Sequence, residues 1–304
     1  MNEPTPSPEV LRGFVHDTLG PVEIEDCSRS VGRQSTVWKL TGRDGALHYL
    51  KRHEARGLYD RATMAYTQWT PQLEGSTDWH VPRVVARDDD LGTLILEALP
   101  DATRVSEMPD DEDREAAYEA AGRLLAALHA LPVIDAPEPR AHMAAQVERY
   151  VLKHAQVLEP DLRAWFHATF DDLAPLADAP IVCAHRDYSP RNWTARRTGD
   201  RMIVSAFDWE RAEVDCAWHD FQRMEYDHWE QAPHLKRAFL TGYGRELSTH
   251  DQRQLDLVVL INAIASVAWA RERGDTPFEA LALRAIERLR SRGSGGVAGN
   301  TEDS

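Results

Sequence analysis

One stretch of the chain combines residue types and spacing suited to group transfer: His185-Arg186-Asp187-Tyr188-Ser189-Pro190-Arg191-Asn192, an H-R-D-x-x-x-x-N pattern directly after the apolar run Ile181 to Ala184. Moving a phosphoryl group from a nucleotide to an alcohol needs a carboxylate that orients the attacking hydroxyl and takes its proton. It also needs an amide oxygen close by to hold a metal. Asp187 and Asn192 supply that pair. Sixteen residues beyond Asn192, the apolar run Met202 to Phe207 delivers Asp208, Trp209 and Glu210. A carboxylate at the end of an apolar strand is costly to desolvate unless something positive faces it, and Mg²⁺ bridging nucleotide phosphates is the natural occupant. Each feature has a plainer alternative: three polar residues sharing a loop, or an Asp208 that caps a helix or pairs with Arg211. Two strands that each end in metal-competent residues, in this order, favour the single site.

A third feature is Lys51, at the end of the apolar run Leu47 to Leu50, where it can reach the α- and β-phosphates of a nucleotide lying across a sheet. Most strand-end lysines are merely solvated, and Lys51 stands out by its place before a helix and upstream of the loop. Further upstream, Val31-Gly32-Arg33-Gln34-Ser35-Thr36-Val37 joins two β-type runs through one glycine. Backbone N–H groups of Gly32, Arg33 and Ser35 can approach phosphate there, with Arg33 as a rival clamp to Lys51, although a lone glycine turn is common. Neither G-x-G-x-x-G nor G-x-x-x-x-G-K-[ST] occurs, which argues against a Rossmann cofactor site and a P-loop.

These residues require elements to hold them. Apolar Val10, Leu11, Phe14, Val15 and Leu19 share one face of a helix over 8–19, with Ser7 as its N-cap. Val22 to Ile24, Val37 to Leu40 and Leu47 to Leu50 then read as a meander of antiparallel strands with a turn at Gly42-Arg43-Asp44-Gly45. Ala55 to Leu73 reads as a helix, and Val81 to Val85 and Leu94 to Leu99 as strands. From residue 111 the period becomes helical, with Ala117, Ala121, Leu124, Leu125 and Leu128 forming a stripe that ends at Leu131-Pro132. Further helices are expected at 141–157, 160–175, 218–229, 233–243, 249–271 and 277–291, and a disordered tail at 292–304.

Composition narrows the class. The 304 residues are 42% hydrophobic and 28% charged, ordinary for a folded soluble chain. A net charge of −15 has the wrong sign for gripping nucleic acid or an anionic membrane and the right sign for drawing in a small cation. Cys27, Cys183 and Cys216 show no metal or disulfide spacing, so a reducing cytoplasm is expected. Asn262 interrupts the longest apolar run, Leu257 to Ala265, well short of a membrane span.

The order Lys51, Leu94 to Pro100, His185 to Asn192 and Ala206-Phe207-Asp208-Trp209-Glu210 resembles the aminoglycoside phosphotransferase family of the protein-kinase-like fold, over roughly residues 20–290. The resemblance implies an α+β, bilobal fold: a small antiparallel-sheet N-lobe at 1–100 and a larger helical C-lobe at 101–291, with ATP or GTP between them. It casts Asp187 as catalytic base, Asn192 and Asp208 as Mg²⁺ ligands, Lys51 as phosphate clamp and Glu97 to Leu99 as the hinge that meets the purine. Glu213 to Phe221, with Asp215 and Asp220, matches the acidic stretch that braces the catalytic loop. One departure stands out: the helix after the lysine normally offers it a glutamate, and the expected place, around Ala62, has no acid, with Asp60 the nearest substitute.

A protein kinase is disfavoured, because Trp209 and Glu210 follow Asp208 where Phe-Gly would stand and no A-P-E lies downstream. The resemblance implies an alcohol phosphotransferase acting on a cationic antibiotic, with a choline, homoserine or amino-sugar kinase, or a nucleotide-binding pseudokinase, as alternatives. A monomer or weak homodimer is expected. Glu210, Trp218, Glu225, Asp227, Trp229, Trp269, Glu272 and Asp275 are candidates to hold the acceptor, since carboxylates attract ammonium groups and tryptophan faces stack on them. The plainer reading makes the acids solvated helix faces and the tryptophans core.

Overall fold

The computed structural model describes residues 8–27, 35–109, 111–152, 154–171 and 173–295, so Ser7, Gly32 and Arg33 lie outside the described residues. Helix α1 (Pro8–Leu19) sets Val15 against Leu40, Leu50 and Ile95 of a five-stranded sheet. Strands β1 (Val22–Asp26), β2 (Ser35–Gly42) and β3 (Leu47–His53) form the expected meander. They continue into β6 (Thr93–Glu97) and β5 (Val84–Asp88) in the order β1-β2-β3-β6-β5, antiparallel throughout. In the β3–β6 register Lys51 stands opposite Leu94.

The segment 55–73 is helical as expected. It runs as α2 (Arg56–Met64), a wide turn Ala65–Trp69 and a tight turn Thr70–Leu73, burying Tyr59, Ala62, Ala65, Tyr66 and Trp69. The strand expected at Val81 to Val85 is instead split. Pro82 offers no N–H to a ladder, and β4 (Trp79–His80) pairs in parallel with β10 (Arg201–Ala206) of a second sheet while β5 begins only at Val84.

The second sheet, β4-β10-β9-β7, contains β7 (Thr103–Arg104) and β9 (Trp193–Thr198), and β8 (Ile181–Ala184) pairs with β11 (Glu213–Cys216). Sequence reading missed β9 and β11. In β9 only Trp193 and Ala195 face inward, the rest being Thr and Arg. Its one signal is the Gly199-Asp200 turn, where Gly199 takes φ 58° to close the hairpin onto β10.

The remainder is helical: α3 (Asp111–His129), α4 (Pro139–Gln146), α5 (Pro160–Phe170), α6 (Gln222–Asp227), α7 (Pro233–Tyr243), α8 (Thr249–Arg273) and α9 (Thr276–Gly295). Helix α9 runs past residue 291 into the stretch expected to be tail. Helix α8 is long and apolar enough to cross a membrane, yet 61% of its most apolar window is buried inside the protein, which is how a core helix spends its hydrophobicity.

Helices α3 and α7 meet at two glycines. A Cβ on Gly122 would lie 2.1 Å from the Phe239 carbonyl oxygen, and one on Gly242 1.9 Å from that of Glu119. This close crossing fixes the site, because the Tyr188 hydroxyl donates to the Ala121 carbonyl at 2.8 Å and Trp193 stacks on Phe239. Gly122→Ala and Gly242→Ala must push two backbones apart, and each should cost about 2–3 kcal/mol or more in urea unfolding. Gly13→Ala, in helix α1 with nothing within 4 Å of its added Cβ, should be neutral or mildly stabilising. Equal effects at all three positions would refute this account of the crossing.

Candidate active site

Strand β8 ends at Ala184, His185 follows it, and the chain then turns through Arg186 at φ 64°. That left-handed turn is held by Asp220, whose carboxylate accepts from the His185 amide at 3.0 Å and the Arg186 amide at 2.5 Å. Asp220 is itself held from α3, since His129 Nε2 donates to it at 3.0 Å while His129 Nδ1 lies 2.8 Å from the Tyr243 hydroxyl. The Arg186 side chain pairs with Glu213 and, at 2.8 Å, with buried Asp215. Asp215 also receives His142 Nε2 at 2.7 Å, Gln146 Nε2 at 2.5 Å and the Cys216 amide at 2.7 Å. Burial opposes the charge on Asp215, but His219, His142 and Arg186 outweigh it and hold its pKa below the usual carboxylate range. The stretch Glu213 to Phe221 therefore braces the loop in fact.

Strand β10 ends beside it. His185 Nε2 donates to the Phe207 carbonyl at 2.9 Å, and the Phe207 amide donates to the Asn192 carbonyl at 3.0 Å. Asp208 follows at φ 73°, ψ 50°, a conformation uncommon for a residue with a side chain. Buried Trp209 locks it there, with its indole N–H on the Ala206 carbonyl at 3.1 Å and its ring 4.6 Å from that of His185.

Lys51 is almost fully buried and pairs with both Asp208 and Glu210, the latter at 2.7 Å. Burial works against its charge, but the two carboxylates outweigh burial and hold its pKa above the ordinary value. This resolves the missing helix glutamate. Ala62 is packed into the core, and Asp60 pairs with Arg56 Nε at 2.7 Å on the surface. The lysine draws its acids from the end of β10 instead, while α2 contributes Arg61, whose Nε donates to the Glu210 carbonyl at 3.0 Å. Glu210, a candidate for the acceptor side, thus faces Lys51. His53 lies 3.7 Å from Glu210, and burial together with Lys51 lowers its pKa to about 4, so it is neutral.

Asp187 is also buried. Arg191 Nη2 lies 2.7 Å from Oδ1 and 2.6 Å from Oδ2, Asn192 Nδ2 donates to Oδ2 at 3.0 Å, and Arg223 Nε stands 3.6 Å from Oδ1. Burial raises its pKa, but Arg191, Arg223, Arg211 and His185 outweigh that and keep it ionised. Sequence reading missed Arg191 and Arg223 as partners, although Arg191 sits inside the loop motif. Asn192, donating through Nδ2, has its amide oxygen for a metal. An amide oxygen at Asn192 and a carboxylate at Asp208 are hard-oxygen donors of the type Mg²⁺ takes, with one Asp208 oxygen paired to Lys51. No larger cluster of His, Cys, Asp and Glu competes for a metal among the described residues.

Ser35 opens β2 opposite His53, Glu97 ends β6, and Leu99 is buried just beyond it. The other acceptor candidates scatter. Trp218 and Trp229 are core, Trp218 donating to Gln254 at 2.8 Å and Trp229 packing on Phe221 and Phe239. Glu225 turns to Lys236 at 2.8 Å, Asp275 caps the Phe278 amide at 3.1 Å, and Glu272 is exposed beside Arg273. Asp227 lies half-buried next to His228. Two of the candidates connect towards Asp187 through Arg223: Asp227 lies close enough to raise the Arg223 pKa, and Trp269 is edge-on to Phe278, whose ring carries the Arg223 guanidinium at 5.0 Å.

Two outcomes follow. Glu210→Gln leaves Lys51 with one acid and should cost about 1–3 kcal/mol in urea unfolding, whereas Asp60→Asn should cost under about 0.5 kcal/mol. The reverse order would return the lysine to the helix. His219 donates to Gln146 at 2.8 Å and accepts from Asn262 at 3.1 Å, and burial lowers its pKa to about 4. The unfolded chain therefore takes up a proton that the folded chain refuses, and stability falls as pH drops from about 6.5 towards 4. His219→Gln should flatten that slope by up to about 1.4 kcal/mol per pH unit, read from unfolding curves across the window; an unchanged slope would show that His219 protonates freely in the fold.

The phosphotransferase enzyme family matches residues 28–258 of this chain. The chain is 37% identical over 182 residues to an aminoglycoside 3'-phosphotransferase of Streptomyces fradiae, covering 54% of this chain and 66% of that protein. It is 34% identical over 122 residues to one of Streptomyces ribosidificus, covering 37% and 46%. The match thus spans just under two thirds of the first relative and under half of the second. Among solved structures, an APH(2")-type enzyme with GDP and kanamycin superimposes at TM-score 0.70 with 14% identity, over 93% of this chain and 99% of that one. A macrolide 2'-phosphotransferase of Brachybacterium faecium superimposes at 0.62 with 16% identity, over 97% and 99%. Both likenesses show a shared fold.

Proposed function

The chain belongs to the phosphotransferase enzyme family, and from that premise we propose that it transfers the γ-phosphoryl group of ATP or GTP to a hydroxyl of a small antibiotic of the aminoglycoside type. The convergence of Lys51, Asp187, Asn192 and Asp208 from two strand ends and one loop is the observation that carries this reading. The nucleotide lies between residues 1–100 and 101–291, with Glu97 to Leu99 beside the base and Lys51 on the phosphates. Asn192 and Asp208 would hold Mg²⁺, which when bound would neutralise phosphate charge. Asp187 orients the acceptor hydroxyl and receives its proton as the oxygen bonds to the γ-phosphorus. The bond to the β-phosphate oxygen breaks, and the nucleoside diphosphate leaves. The aminoglycoside 3'-phosphotransferases among the relatives favour an antibiotic over choline or homoserine as acceptor. Free, buried Cys183 and Cys216 suit a reducing compartment.

Asp187→Asn should lower kcat by about 10²-fold or more while nucleotide affinity, measured by calorimetry, stays nearly unchanged, because this carboxylate serves the acceptor. Asp208→Asn should instead weaken Mg²⁺-nucleotide binding itself. An Asp187→Asn enzyme keeping more than about a tenth of the wild-type rate would remove Asp187 from the role of base.

A further inference from the structure

The surroundings of Asp187 are basic, where an acid-lined acceptor site was expected. A carboxylate offers about four lone-pair directions. Arg191 and Asn192 occupy three of them, and the one remaining is on Oδ1, the oxygen that both Arg191 and Arg223 face. Arg223 is fixed: its side chain is 14% exposed, carried by α6 and laid on the Phe278 ring of α9. The Arg191 side chain is half-exposed. Arg211 adds to the positive field at Asp187. Of the nearby acids, Asp208 is engaged by Lys51, and Asp227, next to His228, offsets part of the Arg223 charge but leaves Arg191 and Arg211 uncompensated by it. Any hydroxyl that donates to Asp187 must therefore enter beside two guanidinium groups.

We propose that Arg191 and Arg223 are specificity-determining residues, which admit to Asp187 a hydroxyl with neutral or anionic neighbours and turn away a hydroxyl flanked by an ammonium. This rests on the reading of Asp187 as the group that receives the acceptor hydroxyl. An amine on the carbon next to that hydroxyl would sit within a few ångströms of both guanidinium groups, beside a buried carboxylate where like charges repel more strongly than in open water. A polycationic acceptor passes when its ammonium groups lie away from the reacting position.

The test uses the full chain with saturating Mg-ATP and matched acceptors: aminoglycosides with an amine beside a hydroxyl, and the same compounds with that amine N-acetylated. For phosphorylation of that hydroxyl, the wild type should favour the acetylated partner by about tenfold or more in kcat/KM. In Arg191→Gln the ratio should fall towards one, through a lower KM for the ammonium form, and Arg191→Lys, which keeps the charge, should keep the discrimination. Because both acceptors are compared within one variant, a general loss of kcat cancels. Preference of the wild type for the ammonium form, or a ratio unmoved by Arg191→Gln, overturns the proposal. So does a raised KM for ATP with an unmoved acceptor ratio, which would give Arg191 to the nucleotide. If ATP binds and no acceptor of either form is phosphorylated, the kinase reading itself falls, and the filter with it.

Discussion

The structure depends on compensating buried negative charge. Asp187, Glu210, Asp215 and Asp220 are all buried near the ends of β8 and β10, and an unpaired buried carboxylate costs several kcal/mol. Beside its local partners, each also takes one from elsewhere in the chain: Lys51 from β3 for Glu210, Arg223 from α6 for Asp187, His142 and Gln146 from α4 for Asp215, and His129 from α3 for Asp220. The acids lie within 34 residues of one another, while their partners range from residue 51 to residue 223. Satisfying them forces the first sheet and the helices onto the same two strand ends. The folding problem and the assembly of the site are in this sense one problem.

The same compensation supports strain. Arg186 and Asp208 both adopt left-handed backbone, which for such residues costs about 1–2 kcal/mol each. Arg186 stays there because Asp220 binds two successive amides and Asp215 holds the side chain. Asp208 stays there because Trp209 is wedged between His185 and Tyr66, and because Lys51 draws the carboxylate towards β3. These turns aim two carboxylates from neighbouring strand ends towards one region, which an unstrained continuation of either strand would not do. A rigid pair of charges so placed needs little reorganisation when a substrate arrives.

What the sequence made legible follows the range of the interactions involved. The H-R-D-x-x-x-x-N loop, the acid after β10 and the meander are local patterns, and they stand where expected. Strand β9 was hidden because its polar side chains give no clean alternation, and β11 because Glu213 to Cys216 is short and half acidic. The partner of Lys51 was illegible for another reason: it lies 157 residues away at Asp208 and depends on how β3 meets β10. Trp218 and Trp229 show the limit of residue type as a guide. An indole suits a cation site and a core equally, and only the packing of Phe221, Phe239 and Gln254 around them decides for the core.

Two scales of electrostatics then act on an incoming ligand with opposite signs. The chain's net charge of −15 is felt at a distance and draws cations towards the surface, but salt screens it over about 8–10 Å. At contact, the field belongs to whatever lies within a few ångströms of Asp187, and there Arg191 and Arg223 dominate. The long-range field therefore favours capture of a polycation, while the short-range field governs how it turns once captured. On the proposed reading of Asp187, its ammonium groups are driven away from that carboxylate and an uncharged part of the molecule is left facing it. Orientation by local repulsion needs no acidic cradle at the reacting end, a requirement consistent with Glu225, Asp275 and Glu210 facing Lys236, a helix cap and Lys51.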